Sequence, residues 1–295
     1  MPPANGQKTA NAGASRSAEP VALRAADGFQ LACDLHLPPD GTGPRAAVLL
    51  APAMGVERGF YRHFAGYLAG RGAAVLAVDY RGVGGSRPAG LRGFGARLRD
   101  WAELDLEAAL AHLSARFAGL PLRWVGHSVG GQLLGLLRDP PVERALLLCS
   151  QSGYWRHWSG AGRLGMAALW YAGVPILTGA LGYLPLRGSG VPAGVAREWA
   201  RWGRDPAYVL SYARGRPCAF HAWSGMLRAY AFDDDGYAPP AAVEALVRGY
   251  VSARREVRVV SPRDVGASRI GHFGPLRPAF RDSLWTEMAD WLLAA

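Results

Sequence analysis

Short, nearly continuous apolar runs alternate with longer amphipathic stretches over the first half of the chain. The runs comprise residues 45–51, 73–79, 122–126 and 144–150. Runs of this kind are typical of parallel strands that are buried on both faces. Helices are predicted between them, over residues 59–70, 100–117 and 129–137. This alternation predicts an α/β fold with a doubly wound, mostly parallel sheet.

The pattern changes at the start of the chain and in its middle. Residues 1–19 are rich in Ala, Pro, Gly, Ser and Asn, and they are predicted to form a disordered tail without a signal peptide. Residues 21–38 predict a hairpin around Asp27 and Gly28. The alternation stops over residues 151–216, which are rich in Trp, Gly and Arg. Strands return at residues 226–232 and 256–261, each followed by a helix, over residues 240–252 and 278–293. We therefore predict one core, residues 20–150 and 217–295, with residues 151–216 inserted as a helical lid.

One part of this insertion is long enough to span a bilayer. Residues 164–186 carry no charged side chain. Gly173, Pro175, Gly179, Gly182 and Pro185 interrupt them, and a span here would separate two halves of one sheet. The pattern therefore favours lid helices over contact with a membrane surface, and either of these over a true span.

Charge and cysteine usage limit the partners and the compartment. The net charge of +10 comes from Arg residues spread along the chain, and no nucleic-acid-binding signature accompanies them. No metal-ligand spacing or dinucleotide motif is present, so no cofactor is predicted. Cys33, Cys149 and Cys218 lie far apart in apolar contexts and predict free thiols in the cytoplasm. The oligomeric state is left open.

Ser128 is the candidate nucleophile. It is the centre of the only G-x-S-x-G motif, Gly126 to Gly130, which follows a predicted strand and opens a predicted helix. A sharp strand-to-helix turn there lifts the hydroxyl clear of the sheet, and small flanking residues relieve crowding.

A serine nucleophile needs a base and an acid that orients the base. His272 lies in a glycine-bracketed loop after the last predicted strand and is the best of the seven histidines for the base. Three aspartates follow the strand before it. We prefer Asp235 over Asp234 for the acid, with Asp264 as a weaker rival. The oxyanion donors are predicted to be the backbone N–H groups of Val129 and Met54.

These motifs together resemble the α/β-hydrolase superfamily, and more narrowly its serine aminopeptidase-like and lysophospholipase-like branch. The resemblance rests on PAMGV (52–56), DYRGVGGS (79–86), GHSVGG (126–131), DDGYAP (234–239) and GHFG (271–274), and it extends over residues 21–293. SQSGYWRHW (150–158) and PAGVAREWARW (192–202) are similar to bacterial predicted hydrolases of unassigned substrate. The resemblance implies a Ser128, Asp235 and His272 triad, and a lid between the sixth and seventh strands. Many relatives have His-Gly where this chain has Pro52 and Ala53.

The sequence therefore predicts a serine hydrolase that cleaves a carboxylic ester or thioester of a small acyl substrate through an acyl-serine. A peptidase ranks second, because residues 151–216 hold only Glu198 and Asp205 to bind a substrate amine. An acyltransferase would use the same triad. A non-catalytic membrane-surface protein is the weakest alternative, since it would not need the triad.

Overall fold

The computed structural model describes residues 18–39, 42–186 and 190–294. In these ranges the strands are β1 Glu19–Arg24, β2 Gln30–His36, β3 Ala46–Ala51, β4 Ala73–Val78, β5 Leu122–His127, β6 Val142–Leu148, β7 Tyr183–Leu184, β8 Val191–Pro192, β9 Met226–Phe232 and β10 Arg254–Val260. The α-helices are α1 Arg62–Gly70, α2 Leu98–Asp100, α3 Glu107–Arg116, α4 Val129–Leu134, α5 Gly160–Ala168, α6 Val174–Leu181, α7 Ala193–Arg204, α8 Val209–Ala213, α9 Ala219–Ala222, α10 Pro240–Val247 and α11 Thr286–Leu292.

Wider and tighter turns complete the helical segments. π-Helical turns join α2 to α3 (Trp101–Leu106) and α5 to α6 (Leu169–Gly173), and another precedes α11 (Arg281–Trp285). Short 3₁₀ turns occur at Arg58–Tyr61, Gly84–Ser86, Trp155–His157, Pro262–Val265, Gly274–Leu276 and Pro278–Phe280.

Eight strands form one sheet in the order β1-β2-β4-β3-β5-β6-β9-β10. β2 pairs antiparallel with both β1 and β4, and every other neighbouring pair in this sheet is parallel. The predicted mostly parallel α/β sheet is thus confirmed. Because its order reverses between β3 and β5, the crevice at their carboxyl ends is the expected place for a ligand.

Every residue of β3, β4 and β5 is buried. Each of these strands has a strand on both sides and helices over both faces, which explains their continuous apolar sequences. Helix α1 packs Phe64 and Leu68 against this layer, and α3 packs Leu110 and Leu113.

Several predicted boundaries are displaced by a few residues. Helix α4 ends at Leu134 and not at residue 137, and α10 ends at Val247 and not at residue 252. Strand β6 ends at Leu148, because Cys149 turns the chain at a φ of 52°. Glu19, assigned to the tail from sequence, begins β1 and pairs with Leu35. Residues 1–17 of the predicted tail lie outside the described residues.

Residues 151–216, hereafter the inserted segment, follow β6 and precede β9 in the chain. Their described part carries α5 to α8 and the small β7-β8 ribbon. Among the described residues, one helix, Gly160–Leu181, is long and apolar enough to cross a membrane by length and composition, with a mean hydropathy of 1.5.

Candidate active site

Ser128 lies on the turn between β5 and α4. Its backbone has φ 53° and ψ −115°, a conformation that L-residues rarely adopt. Such strain is held only where the surroundings impose it, and it occurs characteristically at functional sites. The strand-to-helix context predicted for this serine is present.

The two glycines of the motif are required by close backbone approaches. A Cβ on Gly130 would collide with the carbonyl oxygen of Ala51 at the end of β3. A Cβ on Gly126 would meet the backbone of Gly131. Only residues without a side chain therefore allow α4 to begin this close to the sheet.

His272 and Asp235 come together at the carboxyl ends of β9 and β10. Asp235 follows β9, and His272 lies in the loop after β10. His272 Nδ1 lies 2.7 Å from Asp235 Oδ2, and both side chains are buried. This contact holds the imidazole in one orientation with Nε2 left to face a substrate.

The Asp235 carboxylate is held by three partners. Its Oδ1 accepts the N–H groups of Tyr237, at 2.8 Å, and Ala238, at 3.1 Å. Burial raises the pKa of this carboxyl, but the hydrogen bonds with His272 and the backbone outweigh burial and hold the pKa below its ordinary value. The group is therefore a carboxylate at neutral pH.

The rival acids have other partners. Asp234 is half-buried and accepts the N–H groups of Ile270, at 2.8 Å, and Gly271, at 2.9 Å. It thus holds the loop that carries His272 and does not bond the imidazole. Asp264 is exposed and accepts the N–H of Ser261 at 2.8 Å.

The predicted oxyanion donors lie on two neighbouring turns. Val129 is the first residue of α4, and the first N–H groups of a helix have no partner within it. Met54 lies in the loop after β3, and within the described part of the chain its N–H has no hydrogen-bond acceptor. The same loop is fixed by Tyr80, whose hydroxyl donates to Pro52 O at 3.0 Å.

A chain of hydrogen bonds that the sequence did not indicate runs beneath the site. The N–H of Ala53 donates to the Tyr61 hydroxyl at 2.7 Å, and that hydroxyl lies 2.9 Å from His127 Nδ1. His127 Nε2 lies 2.9 Å from the carbonyl oxygen of His272. A carbonyl only accepts, so Nε2 carries the proton and Tyr61 donates to Nδ1. The chain connects the loop of Met54 to the loop of His272.

Burial keeps His127 neutral. Desolvation, with a smaller contribution from His272, lowers the pKa of His127 to about 3. The neutral imidazole fits a side chain that accepts through one nitrogen and donates through the other. No local signal in the sequence identifies Tyr61 as the partner of His127, which lies 66 residues away.

His127, Cys149 and His272 place three potential metal ligands within 4.8 Å of one another. Their chemistry does not fit a metal centre, because both nitrogens of His127 and Nδ1 of His272 are engaged in hydrogen bonds. Burial also raises the pKa of the Cys149 thiol well above its ordinary value, whereas a metal needs the thiolate.

The inserted segment contacts the site from two sides. Trp158 Nε1 donates to the carbonyl oxygen of Gly236, next to Asp235, at 2.8 Å. On the other side, the space beside Gly55 is closed by Leu186 and Val191. Several of its tryptophans serve packing: Trp170 donates to Gly153 O at 3.0 Å and Trp199 donates to the Tyr208 hydroxyl at 2.9 Å.

Comparison with known protein families finds a similarity over part of the chain. The model of the family described as "Serine aminopeptidase, S33" matches residues 42–176. A search of curated protein sequences finds no match.

Solved structures resemble the chain over nearly its full length. A soluble variant of monoglyceride lipase from Saccharomyces cerevisiae, in complex with a substrate analog, has a TM-score of 0.63 and 15% identity, covering 98% of this chain and 97% of the lipase. An esterase from Exiguobacterium antarcticum has a TM-score of 0.58 and 15% identity, covering 92% and 98%. A serine hydrolase without lid from Xanthomonas campestris has a TM-score of 0.55 and 15% identity, covering 95% and 97%. At these identities the likeness concerns the fold.

Proposed function

We propose that the chain, which has the fold of α/β hydrolases and matches the serine aminopeptidase family model over residues 42–176, hydrolyses a carboxylic ester or thioester of a small acyl substrate through an acyl-Ser128 intermediate. The observation that carries this proposal is the 2.7 Å contact between His272 Nδ1 and Asp235 Oδ2 at the sheet edge that presents Ser128. A serine on a strained turn, a base and a buried acid are the parts that acyl transfer requires.

In the proposed reaction His272 Nε2 takes the Ser128 proton as Oγ attacks the acyl carbonyl. The oxyanion of the tetrahedral intermediate is bound by the N–H groups of Met54 and Val129. The intermediate collapses, the alcohol or thiol leaves with the proton from His272, and the acyl group stays on Ser128. Water, deprotonated by His272, then releases the acid and restores the serine. Asp235 keeps its negative charge throughout and stabilises the imidazolium.

The charges of the inserted segment favour an ester or thioester over a peptide with a free amine. An aminopeptidase needs a free carboxylate for the substrate amine. Glu198 is buried and pairs with Arg99 at 3.4 Å, and Asp205 accepts the N–H of Ala207 at 2.8 Å. The aminopeptidase remains the second candidate, because the matching family model bears that description.

The three buried free thiols support the cytoplasm as the compartment of this enzyme. A small-molecule substrate is the partner that the site requires, and no nucleic acid or cofactor enters the proposed reaction.

A fluorophosphonate probe and a pair of matched substrates test the proposal. We expect the probe to label the wild-type protein and to leave Ser128→Ala unlabelled. We also expect p-nitrophenyl butyrate to be cleaved and amino-acid p-nitroanilides to be left intact. Equal labelling of Ser128→Ala would overturn the nucleophile. If the anilides are cleaved faster than the ester, the protein is an aminopeptidase and not an esterase. If the acyl group is transferred to an added alcohol in preference to water, the protein is an acyltransferase.

A further inference from the structure

The helical stretch Gly160–Leu181 presents an apolar face to solvent. Leu164 is 71% exposed, Tyr171 56% and Ile176 66%. Small residues at helical spacing between these three and just after Ile176 are also exposed: Ala168, Ala172, Pro175, Gly179 and Ala180. Of the 18 consecutive residues that are most apolar in this stretch, only 17% are buried.

The opposite face of the stretch is fixed to the protein. Trp170, Val174 and Thr178 are buried, and they lie four residues apart. Arg197 Nε of α7 donates to Thr178 Oγ1 at 3.0 Å, and Trp170 donates to Gly153 O. A helix that is packed along one side onto its own protein does not span a bilayer, but it can lie on a surface with its other side.

The outer face has no charged side chain, which is unusual for a helix on the surface of a water-soluble domain. Such a helix normally presents polar side chains to water on the face opposite the core. A contiguous exposed apolar patch marks an interaction site. The outer face therefore calls for a partner with an apolar layer.

Arginines surround this apolar face. Arg163 is exposed beside Leu164, the Arg204 guanidinium lies 5.6 Å from the centre of the Tyr171 ring, and Arg92 donates to Ala180 O at 2.9 Å. The sequence of the inserted segment holds eight arginines against two acids, Glu198 and Asp205. Glu198 is buried and paired with Arg99, so it does not offset the positive rim.

We propose that the outer face of Gly160–Leu181 docks on an anionic membrane surface. Its apolar side chains enter the boundary between headgroups and acyl chains, and Arg163, Arg204 and Arg92 meet the lipid phosphates. A second copy of the chain fits this face less well, because it would bring one positive rim against another.

Vesicle sedimentation of the full chain tests the proposal without requiring catalysis. We expect the wild-type protein to sediment with vesicles of equimolar phosphatidylcholine and phosphatidylglycerol, and far less with phosphatidylcholine alone. Leu164→Ser/Ile176→Ser should weaken this binding by more than about tenfold, since it removes two large apolar side chains from the lipid contact. Val251→Ser is the matched control, because Val251 is 60% exposed outside the segment, and it should bind as the wild type.

Three further measurements separate the alternatives. Arg163→Gln/Arg204→Gln should weaken binding to the anionic vesicles while near-UV circular dichroism stays unchanged. Ser128→Ala should bind the vesicles normally, so a failure of the proposed hydrolase chemistry does not affect this test. Unchanged binding of Leu164→Ser/Ile176→Ser, or no wild-type binding to anionic vesicles, would overturn the proposal. So would a wild-type dimer in sedimentation velocity that becomes a monomer in Leu164→Ser/Ile176→Ser.

Discussion

Asp234 and Asp235 are neighbours in the chain, yet their carboxylates face different partners. After β9 the chain turns, with the N–H of Asp235 donating to Phe232 O at 3.1 Å. Asp235 then points inward to His272, while Asp234 bonds two N–H groups of the His272 loop. One residue orients the imidazole directly, and the other holds the loop on which the imidazole sits.

Substituting these two aspartates separates the roles. Asp235→Asn should lower kcat on p-nitrophenyl esters by about a thousandfold or more, because an amide no longer stabilises the imidazolium. Asp234→Asn should keep kcat within about tenfold of the wild type and lower the free energy of unfolding by about 1 kcal/mol, since one amide oxygen replaces two acceptors. If Asp234→Asn loses as much kcat as Asp235→Asn, the assignment of Asp235 as the acid is wrong.

Tyr61 offers a second test at the scale of a residue. Tyr61→Phe leaves both the Ala53 N–H and His127 Nδ1 without a partner in a buried region. We expect unfolding to become easier by about 1–3 kcal/mol and kcat to fall by about tenfold with KM little changed, because the Met54 loop and the His272 loop lose their connection. Steady-state kinetics and chemical denaturation measure the two effects.

Tyr230→Phe is the control for this substitution. Tyr230 is equally buried, but its hydroxyl donates to Glu287 at 2.6 Å, away from both loops. It should lose stability without losing kcat. If Tyr230→Phe and Tyr61→Phe lower kcat alike, the chain beneath the site has no positioning role.

The sequence predicts the parts of the site that carry local signals. Ser128 lies in a motif, and His272 lies between glycines in the loop after the last strand. Tyr61 carries no such signal, because an aromatic residue at the start of a helix is predicted only to pack in the core. The choice of Asp235 over Asp234 depends on the side-chain directions after a turn, which neighbouring identical residues do not encode.

At the scale of elements, the approach of α4 to β3 depends on Gly130. A methyl group there would collide with the Ala51 carbonyl oxygen, a backbone atom that cannot swing aside as the end of a flexible side chain can. Gly130→Ala should therefore lower the free energy of unfolding by about 3 kcal/mol or more and abolish fluorophosphonate labelling. Gly59→Ala is the control, since nothing lies within 4 Å of its Cβ position and its φ is ordinary. Similar thermal unfolding of Gly130→Ala and Gly59→Ala would contradict this account of the turn.

Strands are more predictable here than helix ends. β3, β4 and β5 are buried on both faces, so their apolar runs are continuous and have clear limits. Helix α10 ends five residues before its predicted limit. Gly249 then adopts a turn instead, with its N–H donating to Leu246 O at 2.9 Å. A turn at a glycine, which is a poor helix former, therefore ends the helix before its predicted limit.

At the scale of the whole molecule, the parallel sheet brings the site together. Met54, Ser128, Asp235 and His272 each follow the carboxyl end of a strand, so strand order alone collects residues that are far apart in sequence. The alternating pattern predicts the parallel sheet and therefore the edge at which these residues meet. The hydrogen bonds that join its loops depend on side-chain packing across the whole core, which the pattern does not contain.

The buried His127 makes the free energy of unfolding depend on pH. Its pKa is about 3 in the folded protein against an ordinary value of 6.5, because burial disfavours the charged ring. Between these values the unfolded chain carries a proton at His127 that the folded protein lacks. The free energy of unfolding therefore decreases as pH falls from about 6.5 to about 3, by up to about 1.4 kcal/mol per pH unit from this group, and the group contributes no slope above about 6.5. His127→Gln keeps an amide donor for His272 O but cannot take up this proton. Urea denaturation over this pH range measures the free energy of unfolding of both proteins. The difference in this free energy between the wild type and His127→Gln should change with pH. If the two free energies change with pH in the same way, the buried imidazole does not have this role.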